Sequence, residues 1–154
     1  MSVSSTIDIE GDKFMGIRQL SVFLANKKGS LHEISDVIAN AGVDLRSMCI
    51  ADTSDYGIVR MIADDPQKAA DALVAAGHTA NIRVVTAFAV PDVPGGLSNV
   101  LCILEKNNVD IEYLYALVTT DKDKAYAVMR TDDVEKTEKL LADNGVELLE
   151  ENQI

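Results

Sequence analysis

At 154 residues, with 47% hydrophobic and 25% charged residues, the chain has the composition of one ordinary domain or two small ones, which excludes disorder from end to end. Lys+Arg 14 against Asp+Glu 25 give a formal net charge of -11, so the field of the protein repels phosphate backbones and anionic membrane surfaces, and neither nucleic acid nor membrane is expected as a partner. No apolar run reaches the roughly 20 residues of a membrane-spanning helix, and the N-terminus lacks the basic and apolar stretches of a leader, so a cytoplasmic protein is expected.

Residues 1–14 (MSVSSTIDIEGDKF) fall outside the pattern that follows and read as an N-terminal extension, with a second methionine at Met15. Residues 18–25 are rich in β-branched and aromatic side chains and predict a first strand. A helix comes next. Ser30 and Glu33 stand at capping-box spacing, Leu31, Ile34, Val37, Ile38 and Ala41 share one face, and Gly42 suits the left-handed C-cap. Residues 44–51 and 57–63 predict two strands about a polar turn. Pro66 then opens a second helix that stops before Gly77, and a last strand is expected over 78–82.

The same order then recurs, and internal repetition is the most informative feature of the chain. Gly29-Ser30-Leu31 and Val43-Asp44-Leu45 match Gly95-Gly96-Leu97 and Val109-Asp110-Ile111 at a constant offset of 66 (95 − 29). Asp64-Asp65 and Gly77 match Asp132-Asp133 and Gly145 at an offset of 68 (132 − 64), so two residues have entered an intervening loop, which holds residues 121–124. The second copy is predicted as a strand over 84–90, a helix with Leu97, Val100, Leu101 and Leu104 on its buried face and Asn108 at its end, strands over 110–119 and 125–131, a helix over 133–144, and a strand over 146–149.

This order predicts an α+β fold of two tandem βαββαβ domains with the helices on one face. The boundaries are 1–14 for the extension, 15–83 for the first domain and 84–154 for the second, and the short run after Gly77 joins the copies directly. Phe23, Met48, Ile50, Val59, Met61, Leu114 and Ala116 are expected on the helix-free face. Such a patch predicts a homodimer or a higher homo-oligomer.

The loop between first strand and first helix occurs as Asn26-Lys27-Lys28-Gly29-Ser30-Leu31 and again as Asp92-Val93-Pro94-Gly95-Gly96-Leu97. A helix N-terminus offers unpaired N–H groups and a partial positive charge, glycine lets a carboxylate approach the backbone, and Asn26 or Asp92 could accept from an ammonium group. Those are the needs of a free amino acid. A plain strand-to-helix turn is the competing reading, and duplication alone does not decide between them, since a duplicated fold duplicates its turns.

The stretch Pro91-Asp92-Val93-Pro94-Gly95-Gly96-Leu97-Ser98-Asn99-Val100-Leu101, followed by Asn108-Val109-Asp110-Ile111, resembles the ACT domain, a small-molecule sensor attached to many amino-acid metabolic enzymes. The first copy shows the same frame at Asn26, Gly29, Leu31, Val43, Asp44 and Leu45, and the resemblance spans residues 18–149. It implies an α+β fold of two tandem ferredoxin-like βαββαβ domains with antiparallel sheets and helices on one face, and amino-acid ligands at the interface between two ACT domains. There the loop glycine meets the carboxylate, the polar residue ahead of it contacts the ligand, and a polar residue opening the second strand of the neighbouring domain completes the site. Carried across, the ligand-binding residues are Asn26, Gly29, Ser30 and Leu31 with Asp44, and Asp92, Pro94, Gly95, Gly96 and Leu97 with Asp110. Lys28 replaces the usual proline before Gly29, and Asp44 and Asp110 stand where asparagine is common, so the two half-sites are expected to differ.

His32 and His78 lack partners at catalytic or metal spacing, Cys49 and Cys102 read as buried free thiols, and Asp64-Asp65 and Asp132-Asp133 read as helix caps. Tyr113 and Tyr115 share a strand face, where packing is the default. No catalytic residue, metal or cofactor is expected. The leading reading is a non-enzymatic sensor that couples amino-acid occupancy to its own assembly or to a partner enzyme of amino-acid metabolism. The alternative is a regulatory subunit or scaffold resembling the acetolactate synthase small subunit or a glycine cleavage repressor. A small enzyme such as an acyl phosphate hydrolase is disfavoured, because the loops lack an arginine cradle.

Overall fold

The computed structural model describes residues 8–9, 12–13, 15–52 and 55–154. The other residues of the 1–14 extension, and residues 53–54 of the first expected hairpin turn, lie outside the described residues. β1 (Asp8–Ile9) and β2 (Asp12–Lys13) form a short antiparallel ladder with Asp8 opposite Lys13. The chain divides into two compact units, Arg18–Val84, and Val85–Ile154 together with the segment that ends at Ile17.

The first unit follows the predicted order: β3 (Ile17–Ala25), α1 (Ser30–Asn40), β4 (Leu45–Asp52), β5 (Tyr56–Ala63) and α2 (Pro66–Ala75). β5 lies between β3 and β4, antiparallel to both. The chain after α2 returns along the free side of β3, where the Phe23 N–H donates to the Thr79 carbonyl at 3.0 Å. That chain is the start of β6 (Ala80–Pro91), a single strand in which the last strand of copy one and the first of copy two are continuous. The second unit repeats the plan with α3 (Gly96–Lys106), β7 (Ile111–Leu117), β8 (Lys124–Thr131), α4 (Val134–Asp143) and β9 (Glu147–Leu148). Its order is β9-β6-β8-β7, all antiparallel, which is the ferredoxin-like arrangement.

Helix ends follow local chemistry. Asp65 and Asp133 cap α2 and α4, their carboxylates accepting from the N–H of Lys68 at 3.1 Å and of Lys136 at 3.0 Å. Gly42 and Asn108 end α1 and α3 at φ 72° and 53°, and the N–H of the following valine reaches back to Ile38 and Leu104. Asp133→Ala should cost about 1 kcal/mol, read as a lower urea midpoint with an unchanged m-value. The capping box expected at Ser30 does not form. Gly29, left-handed at φ 89°, is itself the N-cap, so Ser30 lies one residue inside the helix, buried, with its hydroxyl lacking a hydrogen-bond partner.

Each unit buries its own core between helices and sheet. Ile34 and Ile38 of α1 and Ala69 and Leu73 of α2 pack on Leu20, Val22, Val59 and Met61. Val100 and Leu104 of α3 and Leu141 of α4 pack on Phe88, Val90 and Met129. Leu97 and Leu101, expected in that core, are instead 38% and 37% exposed, while Ile103 turns inward.

The expected helix-free patch is corrected in the same way. The register sets Met48 opposite Met61 and Ile50 opposite Val59, and it sets Leu114 opposite Met129 and Ala116 opposite Ala127, so all of these share the helix side. Of the residues expected on the other face only Phe23 lies there, opposite Ile58 and 51% exposed. Both parities of β5 are apolar, and β4 and β7 each carry a register shift near their start (Leu45/Ser47 and Ile111/Tyr113), so alternation alone could not set the phase. The helix-free face is itself largely buried, at Ser21 and Ile62 in the first unit and at Ala87, Val128 and Tyr115 in the second. Cys49 is half-buried, and Cys102 is exposed rather than buried.

Candidate functional site

The two strand-to-helix loops are the same structure built twice. In the first, the Lys27 N–H donates to Ala25 O at 2.8 Å, Ser30 to Lys27 O at 3.3 Å and Glu33 to Gly29 O at 3.0 Å. In the second, Val93 donates to Pro91 O at 2.9 Å, Gly96 to Val93 O at 3.1 Å and Asn99 to Gly95 O at 3.1 Å. Every donor and acceptor matches at the offset of the repeat. Each loop is also tied to the hairpin turn beside it, by Asn26 N–H to Asp55 O at 3.1 Å and by Asp92 N–H to Asp123 O at 2.9 Å.

Gly29 and Gly95 hold left-handed backbone at φ 89° and 87°, and a Cβ at either position would meet nothing within 4 Å. The space beside each glycine is open. Neither α1 nor α3 has a side-chain cap, so N–H groups of the first turn, such as those of Leu97 and Ser98, point out without an intrahelical acceptor. Asn26, Asp92 and Pro94 are exposed beside them, Leu31 is half-buried against the core, and Leu97 stands at the surface. Gly96 is different. It is buried, and a Cβ there would collide with the Pro91 carbonyl oxygen.

Asp44 and Asp110 are not brought to the loops of their own unit. Each follows the C-terminus of the helix that its loop begins, and 11 residues of helix separate the two ends by roughly 16 Å. A site that uses a loop and an aspartate together therefore needs a second domain to supply one of them. The two aspartates also differ. Asp44 accepts from Arg46 at 3.1 Å, whereas the position equivalent to Arg46 is Glu112, which lies 3.9 Å from Arg130. The backbone at both is pinned, with Asp44 N–H on the Asp64 carboxylate at 3.0 Å and the Asp110 carbonyl accepting from Asp132 N–H at 3.3 Å.

Sequence reasoning missed three features. Glu138 of α4 is 4% exposed, accepts from the Met15 backbone N–H at 2.7 Å, and is pushed up to about 7 by burial, with the Glu135 charge adding to the rise. Lys124 donates to Glu147 at 2.6 Å, which raises its pKa from the usual lysine value. His78 and Glu33 approach to 3.4 Å across the first unit. No sequence signal could have shown these, since each joins segments far apart in the chain. Among the described residues no group of His, Cys, Asp and Glu could hold a metal ion, and no helix is long and apolar enough to cross a membrane.

Residues 15–154 match a family model described as an ACT domain pair. Among solved structures, the chain is 38% identical to protein BT0572 from Bacteroides thetaiotaomicron, covering 88% of this chain and 92% of that one with a TM-score of 0.82. It shares its fold with the ligand-free regulatory subunit of aspartate kinase from Thermus thermophilus, at 14% identity and a TM-score of 0.61, covering 82% of this chain and 91% of that one. The regulatory subunit of aspartate kinase from Thermus flavus is similar at 15% identity and a TM-score of 0.57, covering 82% and 90%. No curated protein matches the sequence.

Proposed function

We propose, from the premise that this chain belongs to the ACT domain-pair family, that it is a regulatory protein that binds a free amino acid at its strand-to-helix loops and passes the occupancy to its own assembly or to a partner enzyme. The observation that carries this reading is the pair of matched loops, each with a left-handed glycine facing open space and an uncapped helix N-terminus behind it. The ligand carboxylate meets the first-turn N–H groups, and Asp92 or Asn26 accepts from its ammonium. Asp44 or Asp110 closes the site from another domain. The other domain comes from the chain's own second copy or from another chain, and a homodimer or higher homo-oligomer, the latter case, is part of this reading.

The half-sites are electrostatically unequal. A carboxylate at Asp44 or Asp110 favours the ligand's ammonium and repels its carboxylate, and Arg46 offsets this repulsion at Asp44, whereas Glu112 stands at the equivalent place in the second copy. The loops differ in charge as well, with Lys27 and Lys28 in one and Asp92 in the other. Coupling follows from linkage: a ligand that touches two domains stabilises the interface between them, and the interface raises ligand affinity by the same factor.

The test is thermal unfolding against the twenty amino acids. A ligand at about 100 times its dissociation constant adds roughly 2.7 kcal/mol, worth several degrees at this size. One or a few amino acids are expected to raise the midpoint, and Asp92→Ala or Gly95→Val to abolish the rise. If no amino acid moves the wild type, the sensor reading fails. The regulatory-subunit reading is then favoured by the exposed apolar side chains of Val93 in the loop, at 60%, and of Leu97 and Leu101 on α3. In that case a partner enzyme should co-purify, and Leu101→Asp should release it.

A further inference from the structure

We infer that the second unit carries a site for a compact aliphatic zwitterion in the crevice between α3 and α4, and that the first unit has closed the equivalent crevice. A cavity of about 410 Å³ opens where the first turn of α3 meets the residues after α4. That volume lies within the range of small-molecule sites, roughly 300–1,000 Å³. Val100, Ile103 and Val146 give it an aliphatic wall.

Its polar groups carry both signs. α3 begins at the crevice and α4 ends there, so the positive end of one helix dipole and the negative end of the other flank the same space. Lys124 spends one of its three donors on Glu147, and Asp123 lies beside it on the rim. The Asn144 Nδ2 is committed to the Leu140 carbonyl at 2.8 Å, which leaves its Oδ1 as an acceptor. A bare carboxylate would face Asp123 and Glu147, and a bare ammonium would face Lys124. A molecule with both charges and a short aliphatic group satisfies all of them.

The first copy is an internal control. At the positions of Gly96, Asn99 and Val146 it carries Ser30, Glu33 and His78, each of them larger. The Glu33 Oε1 and His78 Nε2 approach to 3.4 Å without a hydrogen bond, which sets the two side chains together between α1 and the chain after α2. The open crevice shares Gly96 with the loop site but none of Asp92, Pro94, Gly95 or Leu97, so either site can fail without the other.

The test is a methyl-detected NMR titration of the full chain with L-leucine, and with its single-charge analogues 3-methylbutylamine and 4-methylpentanoate. L-leucine should shift the methyl resonances of Val100, Ile103 and Val146 at a midpoint at least about tenfold lower than either analogue. Rebuilding the first copy's plug with Asn99→Glu and Val146→His should weaken binding about tenfold or more, whereas Asp92→Ala should leave the remaining crevice shifts in place. Lys124→Met, at an exposed position that unfolding cannot confuse, should also weaken it. Unmoved methyls in the wild type, analogues that match L-leucine, indifference to Lys124→Met, or shifts lost with Asp92→Ala would each overturn the proposal. The last of these would leave the loop site standing.

Discussion

Glu138→Gln is expected to make the protein more stable at pH 8 and to flatten its stability profile between pH 5 and pH 8. Glu138 is almost fully buried, and burial raises its carboxyl to about 7 from an unfolded value near 4.5, against the opposing pull of the Met15 N–H. A native pKa above the unfolded one means that the folded state binds the proton more tightly. The contribution is therefore fully present below the unfolded value and is lost as pH rises through the folded value. The full loss is on the order of 3 kcal/mol, a large part of a typical domain's stability. Glutamine holds the neutral shape at every pH and keeps an oxygen for the Met15 N–H. Urea midpoints of wild type and variant should converge at pH 5 and separate at pH 8. A wild-type profile flat over that interval would show that the carboxyl is not so perturbed.

Features written in one short segment were legible in the sequence. Asp65-Pro66, Asp133, Gly42 and Asn108 each do what their local chemistry requires, and the helices begin and end within a residue or two of expectation. The paired loops were legible for the same reason, because glycine in a repeated frame marks a repeated backbone, and the structure repeats it bond for bond. What alternation could not decide was the facing of strands apolar on both sides, so Val59 and Met61 emerge in the core rather than on the helix-free face. Ser30 looked like a cap because its spacing to Glu33 fits one, but a left-handed Gly29 moved the helix start by one residue and turned Glu33 towards His78. Asp44 and Asp110 could be carried over only by resemblance, since nothing in a single copy brings either of them to a loop. The crevice was invisible for a different reason. It is assembled from α3, the β7–β8 turn and the chain after α4, and it shows itself in sequence only as three exchanges towards smaller residues in copy two.

Neighbouring glycines of the second loop should respond to substitution in opposite ways, which separates the part of the loop that serves the fold from the part that faces a ligand. At Gly95 the cost is one of conformation. An alanine held at φ 87° costs about 1–2 kcal/mol, and Gly95→Asn should recover much of it, because asparagine tolerates left-handed backbone. At Gly96 the backbone is ordinary helix and the cost is steric. The added Cβ drives into the Pro91 carbonyl, which is fixed by β6 and by its bond from the Val93 N–H, so Gly96→Ala should cost about 1–3 kcal/mol and Gly96→Asn at least as much. Urea midpoints for the four variants decide the matter. Rescue by asparagine at Gly96, or its failure at Gly95, would reverse these assignments. Ligand-dependent stabilisation adds a second axis: Gly95→Asn should stay folded yet lose it, because its side chain enters the open space that a bound carboxylate would occupy. A folded Gly95→Asn variant that keeps the full thermal shift would move the ligand away from the loop.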